Sequence, residues 1–396
     1  MSAMDLSSAA FPVNTPKFWG DEKELVANCI ETGWISSEGP AVKKFEAKLA
    51  SKCGRRHAIA CANGTAALDI AVKALQLGKG DEVILPSFCI ISVITQVVRG
   101  GSVPVLVDSD STFNMDVAQI RERLTPRTKA IICVHTYHFP VDMEPVLALV
   151  KERGIKVIED AAEMIGQTCL GRPCGSFGDI STMSFYPNKH ITTGEGGMVL
   201  CDAPDLAERC QQLRNLCFDP KKRRFVHEEL GWNYRMTNLQ AALGLGQLSH
   251  LEEAVSRKRE IGRLYTKLLE GCPGLILPPD KNQKSESNIY WVYGVEVAPS
   301  VSCDADAVMK RLAAAKVGTR PFFWPMHEQP VFEPMGFFKG VEWKGGQSFP
   351  VAERIARRGF YIPSGLALED HEVEEVARRI RKVMEEIVSA DGGYSK

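Results

Sequence analysis

The sequence lacks an excess of charge of either sign, a basic leader and long apolar runs. Its 396 residues contain 48 Lys plus Arg and 49 Asp plus Glu, a formal net charge of −1. This balance gives no electrostatic footprint for nucleic acid or an anionic membrane, so we expect neither as a partner. No stretch approaches the ~20 apolar residues that span a bilayer. The first residues lack the basic start and apolar core of a secretory signal, so we expect a cytoplasmic protein.

Closely spaced cysteines are also missing. The 12 cysteines are scattered, and none forms a C-x-x-C pair. Disulfide frameworks are typical of short secreted chains, and structural zinc sites need close ligand pairs. We therefore expect reduced, buried thiols and no metal. With 44% hydrophobic and 24% charged residues, the composition is that of a globular protein with a sizeable core. The length favours two domains.

Short apolar segments alternate with helix-like ones through about the first 200 residues. The predicted strands are His57–Ala62, Glu82–Pro86, Val103–Val107, Ala130–His135, Lys156–Glu159, Ile180–Phe185 and Met198–Cys201. The predicted helices between them are Ala66–Leu77, Ile91–Arg99, Met115–Leu124 and Pro145–Arg153. This alternation is typical of a mainly parallel sheet covered on both faces. A glycine-rich turn too short for a helix joins the last two strands and indicates mixed strand direction.

The remaining chain has a different pattern. Thr237–Leu269 is strongly helical in pattern, and Cys272–Ser287 has the Pro, Gly, Asp, Lys and Ser content of a linker or surface loop. A smaller α+β portion follows, with predicted strands at Ile289–Val297 and Val317–Pro321 and predicted helices at Cys303–Ala315 and His371–Val388. We place the domain boundary near residue 250, which gives domains 1–250 and 251–396.

Two strand ends carry chemically distinctive side chains. Asp160 ends an apolar strand, where groups of an open α/β sheet face the ligand crevice. A simple helix N-cap is the alternative, and for this residue alone it is favoured. Lys189 follows another strand and precedes the glycine-rich segment Gly194–Gly197. A confined lysine can lose its proton and attack a carbonyl carbon, whereas the alternative is an ordinary solvated lysine.

A third segment, Asn63–Leu68, lies between a strand and a helix. Its backbone amides and the Thr65 hydroxyl would bind an anion at the helix N-terminus, or Asn63 would merely cap the helix. Together, a phosphate cradle, an acid at a strand end and a lysine about 29 residues after that acid form the constellation of pyridoxal phosphate enzymes. In such enzymes the lysine holds the cofactor aldehyde, and the acid keeps the pyridine nitrogen protonated.

The chain resembles the DegT/DnrJ/EryC1/StrS family of sugar-nucleotide aminotransferases. The matching segments are Thr32–Ser36, Asn63–Leu68, Gly80–Ile84, Glu159–Glu163, Asn188–Gly197 and Asn233–Asn238. The resemblance implies an α/β protein of PLP-dependent transferase fold type I, which is aspartate aminotransferase-like. Such a chain has a large PLP-binding domain with a mixed, mainly parallel sheet and a smaller α+β C-terminal domain. The family also forms homodimers with shared active sites.

The resemblance implies a reaction as well. This reaction is PLP-dependent transamination of a nucleotide-linked 4-keto-6-deoxy sugar with L-glutamate as amino donor. Glu163 and the segment Arg320–His327 favour GDP-4-keto-6-deoxy-D-mannose as the substrate. The alternatives are another keto sugar, on a dTDP or UDP carrier or aminated at C3, and a non-catalytic protein that kept the fold.

Site roles are carried over residue by residue. By resemblance, Lys189 is the cofactor-holding lysine and acid/base, Asp160 pairs with the pyridinium nitrogen, and Glu163 lies near the ring hydroxyl. The phosphate would be bound by Gly64, Thr65 and Ser184, with Asn233 reaching the cofactor of the neighbouring subunit. The substrate candidates are Trp34, Ser36, Arg235, Arg320 and His327. For three of these an ordinary role is the alternative: Trp34 in the core, Arg235 in a dimer salt bridge, and His327 packed against a backbone carbonyl.

One segment departs from the family pattern. Relatives commonly have Pro-Ser-x-Thr-Tyr, whose aromatic residue covers the cofactor ring, but this chain has Ile90 at the aromatic position. Either Ile90 covers the ring, or Phe88 takes over that role. His190 follows Lys189 directly; a related dehydratase group has histidine in place of the lysine itself, so the lysine here favours transamination.

Overall fold

The computed structural model describes residues 6, 8–151, 153–219, 221–284, 286–338 and 348–392. Its α-helices are α1 (Asp21–Glu31), α2 (Pro40–Lys52), α3 (Gly64–Ala74), α4 (Ser92–Arg99), α5 (Val117–Arg123), α6 (Met143–Lys151), α7 (Pro204–Arg214), α8 (Asn238–Ser249), α9 (Leu251–Leu269), α10 (Ala305–Ala314), α11 (Pro350–Arg358) and α12 (Asp370–Gly392). Its strands are β1 (His57–Cys61), β2 (Glu82–Pro86), β3 (Val103–Val107), β4 (Thr128–Val134), β5 (Lys156–Asp160), β6 (Thr168–Cys169), β7 (Arg172–Pro173), β8 (Ile180–Ser184), β9 (Gly197–Cys201), β10 (Leu275–Ile276), β11 (Tyr293–Val297), β12 (Arg320–Pro321) and β13 (Gly359–Ile362). Two 3-10 helices lie at Met326–Glu328 and Pro330–Phe332.

Seven strands form the large sheet, in the order β1-β9-β8-β5-β4-β2-β3. The run from β3 to β8 is parallel, whereas β9 pairs antiparallel with both β8 and β1. The expected mixture of strand directions is therefore confirmed, because the short β8–β9 connection turns the chain back on itself. The connection from β2 runs to β3 on one side, and β4 lies on the other. This reversal opens a crevice at the carboxyl ends of the strands.

The strands of this sheet were predictable because most are buried on both faces. All five residues of β2 and of β9 are buried, so each strand is a nearly continuous apolar run. The stretch Thr237–Leu269, whose pattern is strongly helical, forms two helices, α8 and α9, separated at His250. Thr237 and Gln240 begin α8 with a reciprocal capping box, in which each side chain bonds the backbone of the other.

A second sheet of four strands has the order β10-β11-β13-β12, with antiparallel pairing throughout. It packs with α9, α10 and α12 around buried Tyr265, Tyr293, Phe360 and Ile380. The strand expected at Ile289–Val297 begins only at Tyr293. Before it, the Ile289 and Trp291 carbonyls are bonded by the side chains of His190 and Lys258 and not by a neighbouring strand. Residues beyond 250, such as Val255 and Trp291, belong to the core of the large sheet. The division into domains 1–250 and 251–396 therefore stays a prediction.

Several elements have no clear sequence pattern. Helix α1 buries only Glu22 and Cys29, so it has no apolar stripe to identify it. The other elements that the sequence did not reveal are α2, α7, α11, β10, β13, the short β6–β7 hairpin and the two 3-10 helices. The 12 cysteines are unpaired, and most of them are buried. In the described part of the chain, none of the helices combines the length and the apolar character needed to cross a membrane.

Candidate active site

The predicted site residues converge at the carboxyl ends of the large sheet. Asp160 ends β5, Ser184 ends β8, and the loop after β2 carries Phe88 and Ile90. Lys189 lies in the turn after β8, where its backbone N–H donates to the Tyr186 carbonyl at 2.9 Å. The topology therefore brings side chains that are far apart in sequence to one crevice.

Asp160 is an acid held inside the protein, since only 3% of its surface is exposed. Its Oδ1 accepts hydrogen bonds from the Ala162 backbone N–H and the Thr182 hydroxyl, both at 3.1 Å. Burial raises the pKa of Asp160, while the Ala162 bond and the positive charge of Lys189 oppose that rise. A turn, not a helix, follows Asp160, so the helix N-cap alternative is wrong.

The Lys189 amine lies among groups that oppose one another electrostatically. Its Nζ is 3.8 Å from the centroid of the Trp291 ring. Burial lowers the pKa of Lys189, whereas the carboxyl groups of Glu163 and Asp160 act to raise it. A lysine whose pKa is lowered gives up its proton more readily than an exposed lysine, which suits a nucleophile and proton carrier.

Glu163 is a second buried carboxyl beside this amine. Its Oε2 accepts a hydrogen bond of 2.7 Å from the Tyr137 backbone N–H. Burial raises the pKa of Glu163 to about 8; the charge of Lys189 and the Tyr137 bond lower it, and Asp160 raises it further. At neutral pH the protonated carboxyl therefore predominates. Such a group can donate a hydrogen bond into the crevice.

A cradle of small and hydroxyl residues lies at the N-terminus of α3. A Cβ added to Gly64 would meet the Ser184 Cβ at 2.9 Å, so only glycine permits this close approach. Asn63 caps α3 by accepting from the Ala66 N–H at 2.8 Å, which confirms the capping alternative for Asn63. The Thr65 hydroxyl instead pairs with that of Ser92 at 2.7 Å. Hydroxyls and free amides at a helix N-terminus suit a phosphate.

The two candidates for covering a cofactor ring are placed differently. Phe88 has no exposed surface and packs against Tyr137, Phe322 and Phe323, with ring centroids 5.9 to 6.3 Å apart. Ile90, in the same loop, is 40% exposed. Phe88 is enclosed by other rings, so Ile90 is the accessible side chain of the two.

Two of the substrate candidates line one cavity. Ser36 and Arg235 lie in the wall of a cavity of about 770 Å³, together with the basic residues Arg214, Lys222 and Arg224. Arg235 also donates to the Asn215 side chain. Glu38 and Asp219 also line the cavity, but the basic groups outnumber the acidic ones, and the space is large enough for a nucleotide diphosphate.

The remaining candidates differ in how far their side chains are engaged. Trp34 is 51% exposed and so does not belong to the core of the chain. Asn233 is exposed opposite Asn215, and Arg320 is exposed with a hydrogen bond to Tyr361.

His327 is engaged within the chain. Its Nδ1 pairs with the Ser87 hydroxyl at 2.7 Å and its Nε2 with the Glu353 carboxylate at 3.2 Å. Its ring also stacks on Phe349 with centroids 4.4 Å apart. Packing was the expected alternative, but the partners are side chains and not a backbone carbonyl. Both ring nitrogens are occupied, so the structure gives no support to substrate contact by His327.

A buried hydrogen-bond network that the sequence did not reveal lies behind Asp160. Glu159 is fully buried and accepts from His135 Nε2 at 3.0 Å, from Ser181 at 2.9 Å and from the Gly175 and Phe177 amides at 2.6 and 2.7 Å. His135 Nδ1 accepts from the Val141 N–H at 3.0 Å, which assigns the proton to Nε2. The network fixes the strand that carries Asp160.

We expect Glu159→Ala to destabilise the fold by about 3 kcal/mol or more, because four buried donors lose their acceptor. Thermal unfolding of the purified variant checks this as a clear fall in Tm. Glu260→Ala, at an exposed position of α9, is the matched control and should unfold near the wild-type temperature. Equal melting of the two variants would show that the network contributes nothing.

This chain is similar to known proteins in both sequence and fold. The profile of the DegT/DnrJ/EryC1/StrS aminotransferase family matches residues 17–381. GDP-perosamine synthase of Caulobacter vibrioides is 38% identical over 94% of this chain and 98% of its own length. The Escherichia coli O157:H7 GDP-perosamine synthase is also 38% identical over 94% of this chain and 98% of its own.

Solved structures give the same result. The aminotransferase TlmJ from Streptoalloteichus hindustanus superposes with a TM-score of 0.85 at 31% identity, covering 96% of this chain and all (100%) of its own. DesI, solved in the presence of its TDP-sugar product, has a TM-score of 0.85 at 29% identity, covering 98% of this chain and 96% of its own. This chain belongs to the DegT/DnrJ/EryC1/StrS aminotransferase family and has the fold type I architecture of PLP-dependent transferases.

Proposed function

We propose that this protein transfers an amino group from L-glutamate to GDP-4-keto-6-deoxy-D-mannose, giving GDP-perosamine. The observation that carries the proposal is the juxtaposition of the half-buried Lys189 with the buried Asp160 and Glu163 carboxyls, which act on the pKa of its amine. The relatives named GDP-perosamine synthase, at 33% to 38% identity over nearly the whole chain, support the choice of sugar.

The residues of the crevice fit pyridoxal phosphate. The α3 N-terminus offers amides and the Thr65 hydroxyl at a point where Gly64 keeps space open, and Asp160 offers a buried carboxyl. When bound, the cofactor supplies an aldehyde that carries the amino group and a ring that accepts electrons. We assign the phosphate to Gly64, Thr65 and Ser184.

Lys189 and Asp160 have the chemical roles in this proposal. Lys189 holds the cofactor at its aldehyde carbon and, when free, moves a proton between neighbouring atoms as acid and base. Burial lowers the pKa of this amine and so favours its uncharged form, while the nearby carboxyl groups act in the opposite direction. Asp160 would accept a hydrogen bond from the protonated ring nitrogen. Pre-positioning of this kind supplies much of the rate enhancement.

Two neighbours shape the rest of the cofactor site. We assign Glu163 to the edge of the ring that bears the hydroxyl, where its protonated carboxyl can donate a hydrogen bond. We assign the ring face to Ile90, whose aliphatic side chain is accessible, and not to the enclosed Phe88. An aliphatic cover offers dispersion contacts but no aromatic stacking.

The nucleotide sugar is assigned to the basic cavity and its rim. Arg235 and Ser36 line that cavity, and arginine suits a diphosphate because its donors match two oxygens at once. Trp34 and Arg320 are exposed and complete the proposed substrate set.

We further propose a homodimer whose active sites are shared between subunits. Exposed apolar side chains would then be covered by the second copy, and the most exposed of those on the α1 side are Ile30, Trp34, Ile35 and Phe18. In that dimer Asn233 would reach the phosphate bound by its neighbour.

A different keto sugar is the second candidate. DesI was solved with a TDP-sugar product, and its fold covers 98% of this chain. The nucleotide carrier depends on a few loop contacts, so a dTDP- or UDP-linked substrate is the outcome to test against. A non-catalytic role is disfavoured because Lys189, Asp160 and the α3 cradle are all intact.

A spectroscopic titration tests the function. We expect the PLP-loaded protein to lose its visible absorption band on addition of L-glutamate. After removal of glutamate and 2-oxoglutarate, the GDP-linked 4-keto-6-deoxy-mannose should restore the band, and mass spectrometry should detect the GDP-amino sugar. The dTDP- and UDP-linked 4-keto-6-deoxy sugars serve as matched controls.

Each result has a defined meaning. A band unaffected by glutamate would refute the proposed donor. Restoration by the dTDP- or UDP-linked sugar, and not by the GDP-linked one, would refute the proposed substrate while leaving the transamination itself in place.

A further inference from the structure

Trp291 lies directly against the reacting atom of the proposed site. Its side chain is only 3% exposed, and its ring centroid is 3.8 Å from Lys189 Nζ. The two residues are far apart in sequence, and Trp291 stands in the segment before β11, outside regular structure. This position brings an indole face to a lysine amine in the interior.

Two buried side chains, Lys258 and His190, hold the backbone of the segment that carries Trp291. Lys258 Nζ donates to the Trp291 carbonyl at 2.9 Å and to the Ser364 carbonyl at 2.6 Å. Two residues earlier, the Ile289 carbonyl pairs with His190 Nε2 at 3.1 Å. His190 follows Lys189 in the chain, so the segment that carries the indole is tied to the segment that carries the amine.

The indole ring is fixed by other aromatic rings and not by its own N–H group. It stacks on Tyr137 with centroids 5.5 Å apart and an interplanar angle of 27°, and it contacts Phe323 and Tyr361 at 6.5 and 6.4 Å. Trp291 Nε1 is buried and has no hydrogen-bond partner among the described residues. Ring packing therefore sets its orientation, despite the unfavourable burial of a free donor.

We propose that Trp291 is an active-site residue whose indole face holds the Lys189 ammonium whenever that amine is not bonded to the cofactor. The proposal rests on the transamination proposed above, in which Lys189 is repeatedly released. A released ammonium in a buried site needs stabilisation, and an aromatic face supplies it without a directional hydrogen bond. The amine can therefore leave the indole readily when it next reacts.

The charged groups around Lys189 define what the indole adds. The carboxyl groups of Asp160 and Glu163 act to raise the pKa of Lys189, whereas Lys258 and His190 are basic groups whose own pKa values the charge of Lys189 helps to lower. Burial, with the charge of Lys189 as a smaller cause, lowers the pKa of Lys258 to about 7. The Trp291 ring lies against the Lys189 amine, and the Trp291 carbonyl accepts from Lys258, so the indole face gives the amine a favourable contact that does not depend on the carboxyl groups.

The reactivity of Lys189 tests this role without any turnover. The full-length chain, freed of cofactor, is acetylated with trace acetic anhydride from pH 5 to 10, and the Lys189 peptide is quantified by mass spectrometry. In Trp291→Leu the ammonium loses its aromatic contact, so we expect the labelling midpoint to move down by up to about one pH unit. Near neutral pH this corresponds to labelling that is faster by up to about tenfold.

Two further variants make the result specific. Trp291→Phe keeps an aromatic face and should shift the midpoint less than Trp291→Leu, which also decides the matter if the leucine variant does not fold. Trp19→Leu is the matched control, because Trp19 has a lysine amine at 4.6 Å but lies outside the site. It should leave the Lys189 midpoint unchanged.

An unchanged midpoint in folded Trp291→Leu, or a phenylalanine variant shifted as far as leucine, would overturn the proposal. Because acetylation needs neither glutamate nor a nucleotide sugar, this failure is distinct from failure of the proposed function. A purely structural role would lower Tm but would not move the Lys189 midpoint.

Discussion

Lys189→Ala should abolish transamination, with a loss of at least about 10³-fold in turnover, while the chain keeps its fold. The variant lacks both the amine that holds the cofactor and the acid/base that moves the proton. Turnover is followed by mass spectrometric detection of the amino sugar, with cofactor supplied in excess. Retention of the fold is checked by circular dichroism and Tm.

Electrostatics explain why the fold should survive this change. Burial lowers the pKa of Lys189, so at neutral pH the folded state disfavours the ammonium and loses little when it is removed. Glu163, with its pKa raised to about 8, is already mostly uncharged and tolerates the loss of the nearby cation. The variant therefore separates chemistry from stability.

An exposed lysine provides the control. Lys79→Ala, in the loop before β2, changes the same residue type on the surface and should retain wild-type turnover. Turnover of Lys189→Ala within about tenfold of Lys79→Ala would contradict the assigned role.

The fold was predictable where burial is two-sided. Strand β9 and all of β2 after Glu82 lack charged residues, and this nearly continuous apolar pattern identified both strands and their order along the chain. Helix α1 was not identifiable because it buries a glutamate and a cysteine instead of an apolar stripe. Its Glu22 is buried because it accepts hydrogen bonds from the Trp19 and Gly20 backbone amides and from Gln247.

The site was predictable to the extent that its residues follow strands. Asp160 and Lys189 could be paired from sequence because the carboxyl ends of neighbouring strands share one crevice. Trp291 could not, because its contact with Lys189 depends on a segment outside regular structure, held by Lys258 and His190. Likewise, nothing in the sequence indicated that Ser87 and Glu353 occupy both nitrogens of His327.

Charge in the crevice is balanced by burial and not by ion pairing alone. Two carboxyls and one amine lie together. Burial raises the pKa of each carboxyl and lowers the pKa of the amine, so it favours the neutral form of all three groups. Strongly shifted pKa values of this kind are typical of functional sites, where groups must take up and release protons.

Asp160→Asn should lower turnover by at least about 10²-fold while leaving the fold as stable as the wild type or more so. Asparagine has nearly the same size, and its oxygen can still accept from the Ala162 N–H and the Thr182 hydroxyl. It has no negative charge, so it cannot hold a protonated ring nitrogen as a carboxylate does. Steady-state kinetics at saturating cofactor measure the loss.

The expected stability follows from the direction of the pKa shift. Burial raises the pKa of Asp160 in the folded state, so above that pKa the ionised carboxylate is a net penalty to folding. Below the unfolded pKa the folded state gains from the neutral carboxyl, and this gain is lost as pH rises through the folded pKa. Asparagine is neutral at every pH, so its Tm at neutral pH should equal or exceed that of the wild type.

A carboxylate at the opposite end of the same strand pair gives the matched control for Asp160→Asn. Asp179 directly precedes β8 and accepts a hydrogen bond of 2.9 Å from the backbone N–H of Val157, which lies at the start of β5. Asp160, at the end of β5, accepts from the Ala162 N–H in a similar way. Asp179→Asn should leave turnover unchanged. If Asp160→Asn retained turnover close to that of Asp179→Asn, the buried acid would serve only the backbone, and its assignment to the cofactor nitrogen would be wrong.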